Sequence, residues 1–204
     1  MNNNVSFQSR IRFVDKKTFI NTVTGKRIDH IERPIAFVDD FFTNCIRSCS
    51  AGAIVAPHKE VYAYHIFDGK ETHKTIYERL TMDIKLFDTP PKHALIIGGK
   101  EHSTRPFSIP NFKIIKDLLR DNIDNVSYFE QHTDYYAQSS LHYDKKNDVY
   151  TILTQFFNNG KEDYIKTIKD LLCNFKKIRI AKGDELFIGG LKINPIEYSS
   201  IFEK

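Results

Sequence analysis

The sequence predicts a mixed α/β (α+β) fold: a single domain, residues 1–204, of mixed and largely antiparallel sheets flanked by helices. Three observations carry this. Short apolar runs rich in Val, Ile, Tyr and Phe recur along the chain, bounded by Gly, Asn, Asp and Pro. Helical spacing of apolar residues interrupts them at 71–82, 108–120 and 164–175. A chain of 204 residues with 41% hydrophobic content, 16 Phe and 10 Tyr can bury one sizeable core, and it carries no repeat and no linker.

In order, residues 6–14 alternate polar and apolar around Phe7, Ile11 and Phe13, as a half-buried strand does. Residues 17–31 place Thr24-Gly25-Lys26 between two β-prone runs, which predicts a hairpin. After Pro34, residues 35–42 lead into 41–68, which read as strand, turn, strand. Asp68-Gly69-Lys70 marks a turn, and 71–82 reads as a short helix with Ile76 and Leu80 inward, closed by Pro90-Pro91. Residues 94–99 form a buried strand ending in Gly98-Gly99. Ser108 is the expected N-cap of a helix to Arg120, with Ile114, Ile115, Leu118 and Leu119 toward the core. Strands follow at 126–129 and 140–143, the latter pairing with 149–156 across the turn 144–148. Tyr164, Ile165, Ile168, Leu171, Leu172 and Phe175 mark an amphipathic helix. Short strands at 178–181, 185–188 and 191–193 finish the chain.

Charge excludes more than it suggests. Thirty basic residues against 26 acidic ones leave +4, scattered without a run that demands nucleic acid. No stretch approaches the ~18 apolar residues of a membrane span, and the polar start lacks a signal peptide's apolar run. The expected setting is the cytoplasm, or export by a route that needs no cleaved signal. Three cysteines, Cys45, Cys49 and Cys173, are too few for a disulfide framework and fit a reducing compartment. His30, His73, His93, His132 and His142 make no HxH or HExxH pattern, so no metal and no cofactor are expected. Gly98-Gly99-Lys100 lacks the spacing of a phosphate-binding loop.

The chemistry concentrates in 41–68. Cys49 stands among small residues, Ser48-Cys49-Ser50-Ala51-Gly52, where backbone N–H groups can face an oxyanion. His65 lies in the next apolar run, and an imidazole with pKa near ~6.5 can take a thiol proton at neutral pH. Neighbouring strands bring facing side chains to about 5 Å. Thr43, six residues before Cys49, is placed to orient the ring. The competing reading is a buried small thiol and a satisfied core histidine. Cys45 is four residues from Cys49 and would share its face in a regular strand. His58 is an alternative base, and His102 and Arg105 are weak candidates for substrate contact.

Phe41-Phe42-Thr43-Asn44-Cys45-Ile46-Arg47-Ser48-Cys49 resembles the nucleophile strand of the bacterial cysteine-dependent glutamine deamidases of the CheD, cytotoxic necrotizing factor and Burkholderia lethal factor fold. In that family a Thr precedes the catalytic Cys by six residues and a His follows on the next strand, an order matched by Thr43, Cys49 and His65. Ile96-Ile97-Gly98-Gly99 and the helix, strand and hairpin over 109–152 extend the likeness more faintly, so that it spans about residues 41–153. Arg47 departs from the family, which has Gly or Ser there. The resemblance implies a protein-glutamine deamidase, in the manner of a bacterial effector or toxin. Catalytic Cys49, His65 and Thr43 would act with an oxyanion turn at Ser48 and Ser50. The partner would be a protein bearing a reactive glutamine, met by a monomer that binds no nucleic acid and no membrane. A cysteine protease, a transglutaminase or a non-catalytic protein-binding domain would use the same residues differently.

Overall fold

The computed structural model describes residues 9–29, 35–56, 60–67, 69, 72–87, 89–91, 93–100, 106–131 and 137–198. The chain runs β1 (Arg10–Phe13), α1 (Lys16–Thr22), β2 (Lys26–Arg27), β3 (Ile35–Val38), β4 (Phe41–Ile46), β5 (Ser50–Val55), β6 (Val61–Ile66), α2 (Thr72–Ile84), β7 (His93–Gly98) and α3 (Ser108–Asn122). It continues through β8 (Asn125–Gln131), β9 (Ala137–Asp144), β10 (Val149–Asn158), β11 (Lys161–Tyr164), α4 (Ile168–Asn174), β12 (Phe175–Arg179), β13 (Glu185–Ile188) and β14 (Leu191–Ile193). These elements make a mixed α/β structure of two sheets.

The first sheet has the order β14-β13-β1-β10-β9-β4-β2, with β11 also on β10; the second runs β12-β8-β7-β5-β6-β3. Most pairings are antiparallel. The parallel ones are β1 with β10 and β13, β2 with β4, and β7 with β8. Alternation in the second sheet divides its side chains between two cores. Ala51, Ala53, Val55, Ala63, Leu95, Ile97 and Phe129 pack against the first sheet. Ile54, Tyr62, Tyr64, Ile66, Ile96 and Tyr128 pack beneath α2 and α3, with Leu80, Phe112, Ile115 and Leu119. Strands β5, β6 and β7 are therefore buried at every position. Phe13, Phe129 and Phe175 bind the sheets edge-to-face, with centroids 5.3 to 5.7 Å apart.

Four local expectations change. Residues 17–31 are not a hairpin: Asp15 accepts the Thr18 N–H at 2.8 Å, capping α1, and Phe19 tucks its ring inward, so cap and burial override β propensity. The stretch 41–68 holds three strands, not two, and β4 lies in the first sheet while β5 and β6 lie in the second. Ser108 is the first residue of α3 rather than its cap, which is Phe107 without a side-chain bond. The helix over 164–175 shrinks to α4, because Tyr164 ends β11 and Phe175 opens β12. A capping box between Thr167 and Asp170 fixes its start. The inward placement of Ile76 concerns a side chain outside the described residues, whereas Leu80 is buried.

Gly52 is required by a close crossing. The Tyr64 hydroxyl donates to the Leu95 carbonyl at 3.1 Å over its face, and a Cβ there would lie 1.9 Å from that carbonyl oxygen. Gly52→Ala should lower the melting temperature by roughly 6 to 12 °C, since the obstacle is backbone rather than a movable side chain. A melt within a degree or two of the parent would show that the crossing relaxes freely.

His142 is buried beneath the segment after α1, where its Nε2 accepts the Thr24 N–H at 3.2 Å. Burial pushes its pKa below the usual histidine value; the nearby carboxylates of Asp40 and Asp144 oppose this only in part. With a depressed folded pKa, its contribution to stability is complete above the unfolded value of ~6.5 and is lost as pH falls through the folded one. Thermal melts from pH 8 to pH 5 should therefore decline more steeply in the parent than in His142→Gln. Gln keeps an acceptor for Thr24 and gains no proton. Parallel declines would assign the acid sensitivity elsewhere.

Candidate functional site

Three strands bring the sequence-selected residues to one end of the inter-sheet layer. On β4 the pairing with β9 slips between Thr43, opposite Leu141, and Ile46, opposite Ser139: three steps on one strand against two on the other. That is a one-residue bulge. Cys45 takes the strain there in a left-handed conformation at φ 61. As a result Thr43 and Ile46 are both buried, while Cys45 is exposed on the outer side. The chain then bends at residues 47–49 and enters the second sheet at Ser50.

In β5 and β6, Ala51 lies directly opposite His65. Cys49, one residue before β5, has the parity of Ala51, so it falls on the face of the sheet that carries His65, one diagonal step away. Diagonal neighbours in antiparallel pairs stand about 7–8 Å apart at the backbone, within reach of long side chains. Cys49 is 6% exposed and His65 1%. Ala51 between them adds only a methyl group.

The decisive contact comes from the opposite sheet. Thr43 Oγ1 lies 2.5 Å from His65 Nδ1 and donates its own proton to the Ile28 carbonyl at 2.9 Å. A carbonyl oxygen only accepts, so the direction of both bonds is fixed: Nδ1–H gives to Thr43, and Thr43 gives to Ile28. The neutral ring thus carries its lone pair on Nε2, the nitrogen a general base needs. Thr43 acts through its hydroxyl, not its backbone carbonyl.

Further groups hold the bend. Gln131 Nε2 reaches the Ile46 carbonyl at 3.5 Å and Ser139 Oγ at 2.9 Å. Gly98, at the end of β7, passes so near that a Cβ would come 2.5 Å from the Cys49 carbonyl oxygen and 2.8 Å from Ser50 Cα. The exposed Arg47 donates through Nε to Gln138 at 2.9 Å, and Lys100, 6% exposed, reaches the Ala137 carbonyl at 3.4 Å. Burial, then the charge of Arg47, lowers the Lys100 pKa.

Of the expected oxyanion residues, Ser48 lies on the bend, whereas Ser50 is buried and already opens β5, so the turn is one residue tighter than the small-residue run implies. Cys45 and Cys49 do not share a face, because bulge and bend intervene. Gln138 contacts Arg47, not His65. His102, Arg105, His58, His30, His132 and the side chain of His73 lie outside the described residues. Sequence reasoning missed the Ile28 acceptor, Gln131 and Lys100. The paired glycines beside Lys100 were the one available signal of a close backbone approach.

Compared with models of known protein families and with curated proteins, the chain matches none. Among the described residues, no three His, Cys, Asp or Glu side chains group as metal ligands do. No helix there is long and apolar enough to cross a membrane.

A second histidine constellation lies at the other end of the strands. His93 Nε2 is 2.7 Å from Asp184 Oδ2, and Ser127 Oγ donates to the same oxygen at 2.7 Å. The serine proton goes to the carboxylate rather than to the imidazole, which is the wrong direction for nucleophile activation. This cluster ties β7 and β8 to the loop before β13.

Thr43→Val keeps the shape and deletes both hydroxyl bonds, whereas Thr43→Ser keeps them. Alkylation of Cys49 by iodoacetamide at pH 7 should slow by about tenfold in the first and change by less than about threefold in the second. Equal rates in all three proteins would separate the relay from the thiol.

Proposed function

We propose that the protein is a protein-glutamine deamidase with Cys49 as nucleophile, His65 as general base and acid, and Thr43 as the residue that positions the imidazole. The observation that supports this most is the Thr43–His65 bond with its onward link to Ile28, because it sets the tautomer that a thiol-activating histidine requires. A core histidine that merely packs needs partners, but not an Nδ1–H tautomer two register positions from the only buried cysteine among the described residues.

The reaction follows from these roles. His65 Nε2 takes the Cys49 proton, and the thiolate, with a free pKa of ~8.5, adds to the carbon of a glutamine carboxamide. Backbone N–H groups around Ser48–Ala51 receive the oxyanion. The C–N bond breaks as His65 returns the proton to the departing nitrogen, which leaves as ammonia. Water, deprotonated by the same Nε2, cleaves the thioester, giving glutamate and free Cys49. No redox step occurs, and no cofactor is called on. An amine in place of water would make the same site a transglutaminase, and a main-chain amide would make it a protease.

The burial of Cys49 favours one rival, a binding domain in which the thiol only packs. Intact-mass analysis of candidate target proteins separates the readings. Deamidation adds about one dalton per event and leaves the target uncut. The gain should appear with the parent, Cys45→Ser and Cys173→Ser, and vanish with Cys49→Ser and His65→Ala. Cleaved targets would favour the protease, and a gain that survives in Cys49→Ser would falsify the assignment. A Cys49 that resists iodoacetamide in the folded protein would favour the packing role.

A further inference from the structure

The second sheet ends in a surface that the deamidase reading does not use. Among the described residues β3 is its last strand on the side of β6. The side chains around that edge are apolar yet open to solvent. Phe37 on β3 is 51% exposed, Met82 in α2 68%, and Leu86 just beyond α2 64%. Exposed apolar residues scattered singly are ordinary, but these three gather around two adjoining clefts. A cleft of about 420 Å³ is lined by Phe37, Asp39, Glu60, Leu86 and Lys145 among others. A second, of about 590 Å³, shares Leu86 and continues along Met82 and Asp83. Phe37 is fixed in place, with its ring centroid 4.1 Å from that of Tyr62 and 5.5 Å from that of Phe87, both edge-to-face. An aromatic ring held by its neighbours and left half open is a contact formed in advance of its partner.

Charge chooses the occupant. Phe37 pairs with Tyr62, and Val38 with Val61. Asp39 and Glu60 come at the next step with the parity of Phe37 and Tyr62, so strand alternation sets both acids on the face that carries Phe37. Asp39 is matched by Lys145 at 2.7 Å. In the second cleft Asp83 has Arg79 at 4.0 Å. Glu60 has no ion pair among the described residues, and its Oε2 is covered without a hydrogen-bond partner. A carboxylate oxygen shielded from water and given no donor is costly, and a visiting cation would relieve it.

We propose that the edge of β3 docks an extended segment of a protein partner carrying an apolar and a basic side chain two residues apart. The segment lies alongside β3, as strands do when they add to a sheet edge. Its apolar side chain rests on Phe37 and Leu86, and its lysine or arginine reaches Glu60. The spacing follows from the pleat: same-face positions recur every second residue, about 7 Å apart, and Asp39 marks the position two beyond Phe37. A four-residue edge offers few main-chain bonds, so these side chains decide what binds. The proposal stands or falls apart from the deamidase reading, because it uses none of Thr43, Cys49 and His65.

The isotope-labelled full chain is titrated with three acetylated, amidated peptides and followed by amide chemical shifts. They are Thr-Thr-Leu-Thr-Arg-Thr-Thr, the same peptide with Glu for Arg, and Thr-Thr-Leu-Arg-Thr-Thr-Thr, which puts Leu and Arg on opposite faces of a strand. The first should bind about tenfold more tightly than either other, moving the amides of residues 35–38 and 60–62. Glu60→Gln should weaken that binding by about tenfold and leave the Glu-containing peptide unaffected. Phe37→Thr should abolish the shifts; if that variant melts early, Leu86→Ser removes an apolar contact at an exposed position instead and should weaken binding several-fold. Equal affinities for the three peptides, shifts that fall elsewhere, or binding unmoved by Glu60→Gln overturns the proposal. So does a concentration-dependent dimer that either apolar variant dissolves, because a second copy of this chain would then be the occupant.

Discussion

Burial of the second sheet on both faces is the constraint from which the rest follows. One face lies against the first sheet and the other beneath α2 and α3, so β5, β6 and β7 have no solvent side. In such a layer an unmatched polar group costs on the order of 1–3 kcal/mol, and polar side chains persist where a partner reaches them. His65 is met by Thr43 and His93 by Asp184, each partner coming from outside the sheet that carries the ring. The two histidines sit at opposite ends of the same inward-facing rows and join the layers at both. They differ in the partner's charge. A carboxylate at 2.7 Å holds His93 as a structural tie, whereas a hydroxyl passing its proton to a carbonyl keeps a proton on His65 Nδ1 and orients the ring.

The candidate site is built by a change of sheet. β4 belongs to one sheet and β5 to the other, and only three residues, 47–49, join them. The nucleophile candidate therefore stands at a corner, where backbone amides leave the ladder of β4 before joining that of β5. The bulge before the corner serves the same end. Without the bulge at Asn44–Cys45, Thr43 and Ile46, three residues apart, would point to opposite sides, and either the histidine would lose its partner or the core would lose an isoleucine. Gly98 and Gln131 fix the corner from the side, one by permitting contact and one by supplying a donor.

The strands whose neighbours are all apolar were readable because burial on both faces leaves a continuous apolar run, as at 94–97 and 61–66. The hairpin of β9 and β10 was marked by its turn residues. What failed was local structure settled by one capping bond: Asp15 made a helix where Thr24-Gly25-Lys26 suggested a hairpin, and Thr167 with Asp170 shortened another. The approach of Thr43 to His65 was legible in their order, but the reasoning from a regular strand was not how the chain achieves it. Parity along one strand would put Thr43 and Cys49 on one face; in the fold Thr43 reaches His65 from the first sheet, while Cys49 stands just before β5 of the second. No periodicity reveals that a chain will leave one sheet for another. Nor could residue types reveal Ile28, whose contribution is a main-chain oxygen.

That oxygen bears on how the molecule can be divided. The strand that carries Thr43 starts at residue 41, yet the acceptor that orients Thr43 comes from residue 28. The segment holding it is short: two residues of β2 paired to β4, the Lys26 N–H on the Asp40 carbonyl, and Thr24 on His142. Residues 24–28 are thus part of what orients the centre. A fragment trimmed to the recognisable core would keep thiol, imidazole and hydroxyl, but the hydroxyl would be free to rotate, and the ring could hold its proton on either nitrogen. In evolutionary terms, an ancestor that acquired or exchanged this amino-terminal strap would have altered its histidine's protonation without changing a residue within the motif.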